Sequence, residues 1–438
     1  MARSVTQPGT ASPDNISPRQ RIASAAFDIL ADKGFDAASV AAIARAAGMS
    51  AGSVYQHFSD KREILDAAFD EAVAKAFTTI DPGSTLAYQP TSRADTVALL
   101  GTLANRMLKL LDDDPRIVTF LLAQASSADV EIRMRVLGLE ALAASRVAQG
   151  LGRAVTSGWI DAPPESIPLI SHILAALSIP FIIEMLSGAQ QSGHREVVTA
   201  TIGQVVRHGM LTSFGPEEAA AMKACLDRSD ETELAISSLL SHGGDRRSVL
   251  MDAAAELYAE RGYRAVAPAD IARRAGLGYG TFYNYFANRR ECLSHVTDRE
   301  LSRIGSLPEL LRPIPTTSAE FVTMITRFTM RVTTYFAARG TVLLPVVLDG
   351  IGVDDQGQRT IITAFTRTSE IAGDQLRRTG DIIRPTPDFD ALGSVVIATV
   401  YGVAIHYAQS APTVPPLDHT VATVVRFLCS GAANRQPR

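Results

Sequence analysis

The hydrophobic pattern along this chain has a helical period almost throughout, with no sustained strand-type alternation to compete with it. Near the start, Ile22, Ala25, Ala26, Ile29 and Leu30 recur at helical spacing, and Gly34 supplies the stop. Ser39 then stands as N-cap before a short second helix over 40–46, and Gly48 suits a left-handed turn. Ser50 caps a third helix that runs through Val54, Tyr55 and Phe58. The pattern returns later in the chain. Leu250, Ala253, Ala254, Leu257 and Tyr258 form the apolar face, and Gly262 ends it. Pro268 falls at the first position of the next helix, where its missing N–H costs nothing, and Gly276 is the turn. Two short helices joined by a tight glycine turn predict a helix-turn-helix unit, here present twice.

Sliding the chain against itself by 228 residues lays 19–65 over 247–293 without a gap, with 18 of 47 positions identical. Gly34/Gly262, Gly48/Gly276, Gly52/Gly280, Tyr55/Tyr283, Phe58/Phe286 and Glu63/Glu291 are among the identities. Alanine bias does not produce ungapped glycines and aromatics, and the period is far too long for a solenoid. The pattern therefore predicts a duplicated module of about half the chain.

At about 100° per residue, Val54 and Phe58 lie one turn apart and face the small core. Gly52, Ser53, Tyr55 and Gln56 then point away from it, with Ala51 and His57 on the flanks. Such a face is small and polar near its start, so the helix could approach the floor of a major groove closely. Gly280 repeats the device, with Thr281, Tyr283 and Asn284 beside it. Lys61 and Arg289 begin the next helix of each copy, where a cation beside helical N–H groups suits a phosphate. A structural three-helix unit with no ligand would explain the buried aromatics but not the outward residues kept in both copies.

Between and after the units, residues 66–225 and 294–435 are apolar and helical in pattern, and Gly243–Gly244 marks a joint. The expected layout is an arm at 1–17, a first head at 18–78, a first body at 79–225, a linker at 226–244, a second head at 245–305 and a second body at 306–438. Composition adds bounds. A chain of 438 residues, 46% hydrophobic and 20% charged, has room for two to four domains and is not wholly disordered. The head segments 1–65 and 245–293 carry net charges of +1 and +2, leaving −7 for the remainder of a chain that totals −4. Basic heads on acidic bodies are the asymmetry of phosphate-binding modules. Cys225, Cys292 and Cys429 are scattered without CxxC spacing, which excludes a thiolate zinc site and suits a reducing cytoplasm. The N-terminus has no apolar run of the signal-peptide kind, and 167–186 and 394–405 read as buried helices rather than membrane spans. No GxSxG, GxxxxGK[ST] or HExxH is present, and no GxGxxG follows a strand, so an enzyme is disfavoured and neither cofactor nor metal is implied.

The strings GFDAASVAAIARAAGMSAGSVYQHFSDKREIL and GYRAVAPADIARRAGLGYGTFYNYFANRRECL resemble the DNA-binding domain of TetR-type regulators. That resemblance covers about 47 residues twice. It implies an all-α fold of two modules in tandem, each a head plus a helical body that holds a ligand pocket and a dimer interface. It implies a DNA-facing set of Ser39, Ser50, Ala51, Gly52, Ser53, Tyr55, Gln56, His57 and Lys61 in copy one. In copy two the set is Gly280, Thr281, Tyr283, Asn284, Tyr285 and Arg289. Ala267 stands where copy one has Ser39, Gly278 where it has Ser50, and Tyr285 where it has His57, so the second head would bind more weakly or read another sequence. Polar groups on apolar body helices, namely His172, Glu184, Tyr335, Tyr401 and His406, are the candidates for effector contact. The implied function is a DNA-binding transcriptional regulator, a repressor released by a small hydrophobic ligand. The alternative is a scaffold with one head that no longer binds DNA. One chain could form its own pseudo-dimer over an operator with unlike halves, or pair with a second copy to carry four heads.

Overall fold

The computed structural model describes residues 17–80, 91–159, 164–187, 193–228, 244–305, 313–353, 355–386, 388–410 and 415–431, together with Thr232, Ile236, Leu307 and Leu311. The expected arm therefore lies outside the described residues except for Ser17, as does most of the linker. Among the described residues there are helices and turns but no strand beyond one isolated bridge between Leu211 and Ile383. The all-α expectation holds.

The first head comprises α1 (Pro18–Ala37), α2 (Val40–Ala46), α3 (Ala51–Tyr55) and α4 (Lys61–Ile80). Gly34 breaks α1 as its spacing predicts, with φ of 74°. The first body follows as α5 (Arg93–Asp113), α6 (Pro115–Thr119), a π-helical turn (Phe120–Ala125), α7 (Ser126–Ala128), α8 (Val130–Thr156), α9 (Ile167–Ala176), α10 (Ile179–Ser187), α11 (His194–His208) and α12 (Pro216–Leu226). The second head is α13 (Arg246–Arg261), α14 (Pro268–Arg274), α15 (Tyr279–Tyr283) and α16 (Arg289–Gly305). The second body is α17 (Ser318–Val353), α18 (Asp355–Arg378), α19 (Phe389–Ser410) and α20 (Leu417–Ser430).

One apolar core runs through both bodies. Leu169, Ile173 and Val205 from the first share it with Phe328, Val400, Val424 and Leu428 from the second. Helices α9 and α11 pack against α19 and α20, so the two bodies meet in a four-helix seam within a single chain. Gly402 permits the close crossing, since a side chain there would collide with Ala176. The ends of α11 and α20 are then tied by backbone bonds, Met210 N–H to Leu428 O at 2.7 Å and Leu211 N–H to Cys429 O at 2.9 Å. In space α12 sits on α17 of the second body, where Met222 and Cys225 enter the shared core. Thr232 and Ile236, from the expected linker, are also buried.

Each head has its own small core and a bond to a body. Phe27 of the first head meets Phe120 edge-on at 5.4 Å, which joins the head core to the π-helical turn. In the second head Phe282 and Phe286 pack with Val346 of α17. The stretches Pro164–Ser187, Ser318–Gly352 and Phe389–Gln409 have the length and hydropathy to cross a membrane, and half to nearly three-quarters of each window is buried inside the fold. All three cysteines are free and buried.

Candidate nucleic-acid interface

Local capping builds the first recognition unit. The Ser39 hydroxyl accepts from Ala42 N–H at 3.1 Å and starts α2. Gly48 makes the turn at φ of 67°, and the Ser50 hydroxyl accepts from Ser53 N–H at 3.1 Å to start α3. Val54 and Phe58 are buried, as the spacing predicts. Ala51, Gly52, Tyr55 and Gln56 are exposed, and Ser53 and His57 are half-buried. Tyr55 is 55% exposed, a large cost in apolar surface for a side chain with nothing to cover it in the free protein.

The second unit reaches the same geometry with different chemistry. Gly276 repeats the turn at φ of 67°. Ala267 has no hydroxyl to cap α14; Asp270 compensates by accepting from Ala267 N–H at 3.0 Å, and Pro268 needs no partner. Gly278 precedes α15 without any side-chain cap. Phe282 and Phe286 are buried, while Gly280, Tyr283, Asn284 and Tyr285 are exposed and Thr281 is half-buried. Tyr279 was not among the expected residues. It is 56% exposed, and its hydroxyl shares a 2.9 Å hydrogen bond with that of Tyr283, the rings standing edge to face at 5.3 Å. That bond raises the Tyr283 phenol above its ordinary value. The register alone could have found Tyr279, because it aligns with Ala51.

Gly52 and Gly280 are empty by choice rather than by crowding. A side chain on Gly52 would meet only the Ser50 hydroxyl oxygen, 3.8 Å from its Cβ, and one on Gly280 would meet nothing within 4 Å. Neither position has the positive φ that calls for glycine. Neither the backbone nor the packing of the chain requires glycine at these two positions.

Lys61 and Arg289, expected to meet phosphate, also make bonds within their own heads. Lys61 is half-buried, donates to Phe35 O and lies 4.3 Å over the Phe35 ring. Arg289 donates through one nitrogen to Tyr263 O, Arg264 O and Val266 O at 3.3, 3.0 and 3.1 Å, and sits 4.5 Å over the Tyr263 ring. Lys61 thus ties the start of α4 to the end of α1, and Arg289 ties the start of α16 to the turn that follows α13. Glu63 is likewise structural: its carboxylate accepts from Ser59 N–H at 2.8 Å, Arg19 at 2.8 Å and the Ser59 hydroxyl at 3.0 Å. Those bonds pull its pKa down to about 2.

The effector candidates are each occupied within the fold. His172 and His406 stack across the seam between bodies, ring centroids 3.3 Å apart. The Tyr335 hydroxyl donates to Glu300 at 3.2 Å and the Tyr401 hydroxyl to Ile304 O at 3.2 Å, and Phe336 lies between their rings. Burial is the main reason both phenols titrate well above the ordinary range. Glu184 pairs with Arg195 at 3.2 Å in the first body. The five thus fall into three separate places rather than one site.

The heads also touch one another. Arg264 of the second holds Asp36 of the first through two nitrogens, at 3.1 and 3.2 Å, and these residues are equivalents under the 228-residue shift. An acid and a base occupy the same repeat position, so they pair where two identical heads would place like charges together.

Two heads whose α3 and α15 expose glycine and tyrosine behind a tight turn, carried on a shared helical body, have the build of a helix-turn-helix DNA-binding regulator. Residues 22–68 and 250–296 match the model described as bacterial regulatory proteins, tetR family. The chain thus carries two TetR-type DNA-binding domains in tandem, which makes it similar to regulators of that family. No curated protein matches it. Among solved structures, a TetR-family transcriptional regulator from Rhodococcus sp. is 23% identical, with 38% of this chain and 88% of that chain covered and a TM-score of 0.29.

Proposed function

We propose that this protein represses transcription by gripping one operator with two unlike heads of a single chain, and that a small apolar effector in a body releases it. The observation that carries this reading is the exposed face of α3 and α15 around Gly52 and Gly280, in heads joined through one continuous body core. The domain layout at 18–78, 79–225, 245–305 and 306–438 goes with it. The four-helix seam is made inside the chain, so the pairing that family members make between subunits is satisfied intramolecularly. The exposed sets differ: Ala51, Gln56 and His57 face out where the second head has Tyr279, Asn284 and Tyr285. An operator with unlike halves follows. Repression, the effector and a cytoplasmic setting come from the family, and the three apolar stretches are read as internal helices.

The uncapped α15, with Gly278 before it, favours one rival: a second head that no longer binds DNA. Selection of bound fragments from genomic DNA, followed by footprinting, tests both. The proposal predicts a directional site protected over two half-sites, with Tyr55→Ala and Tyr283→Ala each losing protection over a different half. Protection over one half only, insensitive to Tyr283→Ala, supports the rival, and no duplex binding defeats both.

A further inference from the structure

The first seven residues around the start of α8 touch both heads. Asp129 caps α8 and pairs with Arg62 of the first head at 2.8 Å, and Glu131 pairs with the same Arg62 at 2.6 Å. Ser127 accepts from Arg264 of the second head at 3.1 Å, and Val130 lies against Gly262. Arg133 then turns fully inward. Its side chain is 2% exposed, and it donates to Tyr258 O at 3.3 Å and Ala259 O at 3.2 Å, carbonyls in the last turn of α13. It also donates to Asp349 of α17, 0% exposed, at 3.3 Å. The other oxygen of Asp349 accepts from Tyr263 N–H at 3.0 Å, just past the Gly262 bend. A guanidinium from the first body and a carboxylate from the second therefore close on the point where α13 leaves for the recognition unit of the second head.

Among the described residues, no buried ion pair of this kind holds the first head. Its ion pairs with the first body, Arg62 with Asp129 and Glu131, Arg116 with Asp28 and Asp32 at 3.4 and 3.5 Å, and Arg135 with Asp66 and Asp70, lie at the surface, and it is otherwise joined to that body by a shared apolar core. Exposed pairs are weak and salt-screened, whereas a buried charge stripped of its partner is left in a medium that cannot solvate it. The carbonyls at a helix C-terminus suit a cation, which adds direction to the bond. The two heads are thus held by different physics.

We infer that Arg133 and Asp349 are positioning residues for DNA binding by the second head, and that the first body sets that head's angle across the chain. Control is crossed: a change that moves the start of α8 moves both heads, while a change at Asp349 acts on the second alone. The inference rests on the DNA-binding reading for its consequence, but its test does not.

The test uses the full chain labelled at Arg45→Cys and Arg273→Cys, equivalent exposed positions, for distance measurement by spin-label spectroscopy. Hydrogen exchange is followed in 22–68 and 250–296. Two backgrounds are compared with the parent: Arg133→Lys, and Arg133→Met with Asp349→Leu, which removes both buried charges together. The double variant is expected to broaden the distance distribution and to speed exchange at 258–265 and through the second head tenfold or more. Exchange in 22–68 stays unchanged, and Arg133→Lys falls between parent and double variant. An unchanged distance distribution overturns the inference, as does equal loss of protection in both heads, including loss through global unfolding. Failure of the parent chain to bind duplex DNA would defeat the function proposed above and leave these two readouts intact.

Discussion

Gly52 and Gly280 offer a perturbation in which stability and DNA affinity move in opposite directions. A methyl group at Gly280 meets no atom within 4 Å, and at Gly52 only the Ser50 hydroxyl oxygen at 3.8 Å. Both sites are the second residue of a helix, where replacing glycine by alanine removes backbone freedom from the unfolded chain. The gain is up to about 1 kcal/mol for an interior helical position, and less near an end. If the helix lies against a groove floor, the same methyl group displaces it. The loss is then about 1–3 kcal/mol, the usual cost of one spoiled base-pair contact, or roughly 5- to 150-fold in affinity. Gly280→Leu is expected to deepen the loss of affinity. Chemical unfolding measures the first quantity, and fluorescence anisotropy with a labelled duplex at fixed salt measures the second. The salt slope is expected to stay constant, because no phosphate contact is removed. Gly280→Leu with parental affinity, in a chain whose second head demonstrably binds, would refute the placement of α15 against DNA.

Arg289→Ala is expected to destabilise the second head by about 1–3 kcal/mol, because three carbonyls lose a charged donor, with no change in the salt slope of binding. Lys61→Ala acts likewise on the first head, and a slope reduced by about one ion per substitution would show the phosphate role. Reversing Asp36 alone costs at most about 1 kcal/mol, since it is 77% exposed, while the double exchange Asp36→Arg with Arg264→Asp recovers the parental inter-head distance. Failure of the double exchange to recover it would remove the pair from the contact between heads. Burial pushes the Asp349 carboxyl up to about 7 against the pull of Arg133 and Tyr263 N–H. The folded chain then holds a proton that the unfolded chain releases, so this group's contribution is present below about pH 4 and is lost as pH rises to about 7. Asp349→Asn should flatten that part of the stability profile, and an unchanged profile would show that Asp349 does not titrate there.

Much of each head was legible because its determinants are local. Gly34, Gly48 and Gly276 mark backbone turns, Ser39 and Ser50 mark helix starts, and Val54 and Phe58 recur at the spacing that buries them. The internal bonds of Lys61 and Arg289 were not legible, for the opposite reason. Nothing in their own neighbourhood shows that Phe35 and Tyr263, 26 residues earlier, return beneath them. Tyr279 escaped because a tyrosine opposite an alanine looks like a departure from the repeat rather than an addition to the exposed face. In the bodies, hydropathy identified helices but not their partners. That α12 rests on the second body, that His172 meets His406, and that Arg133 reaches α13 are contacts between residues about 100 to 230 positions apart, settled only by packing.

The account stands or falls on how many chains hold one duplex. Native mass spectrometry of the purified protein with its selected genomic site measures that number directly. One chain on one duplex, with the free protein also a single chain, is the predicted result. A free dimer that stays paired on DNA, with four heads present and only two used, would contradict it.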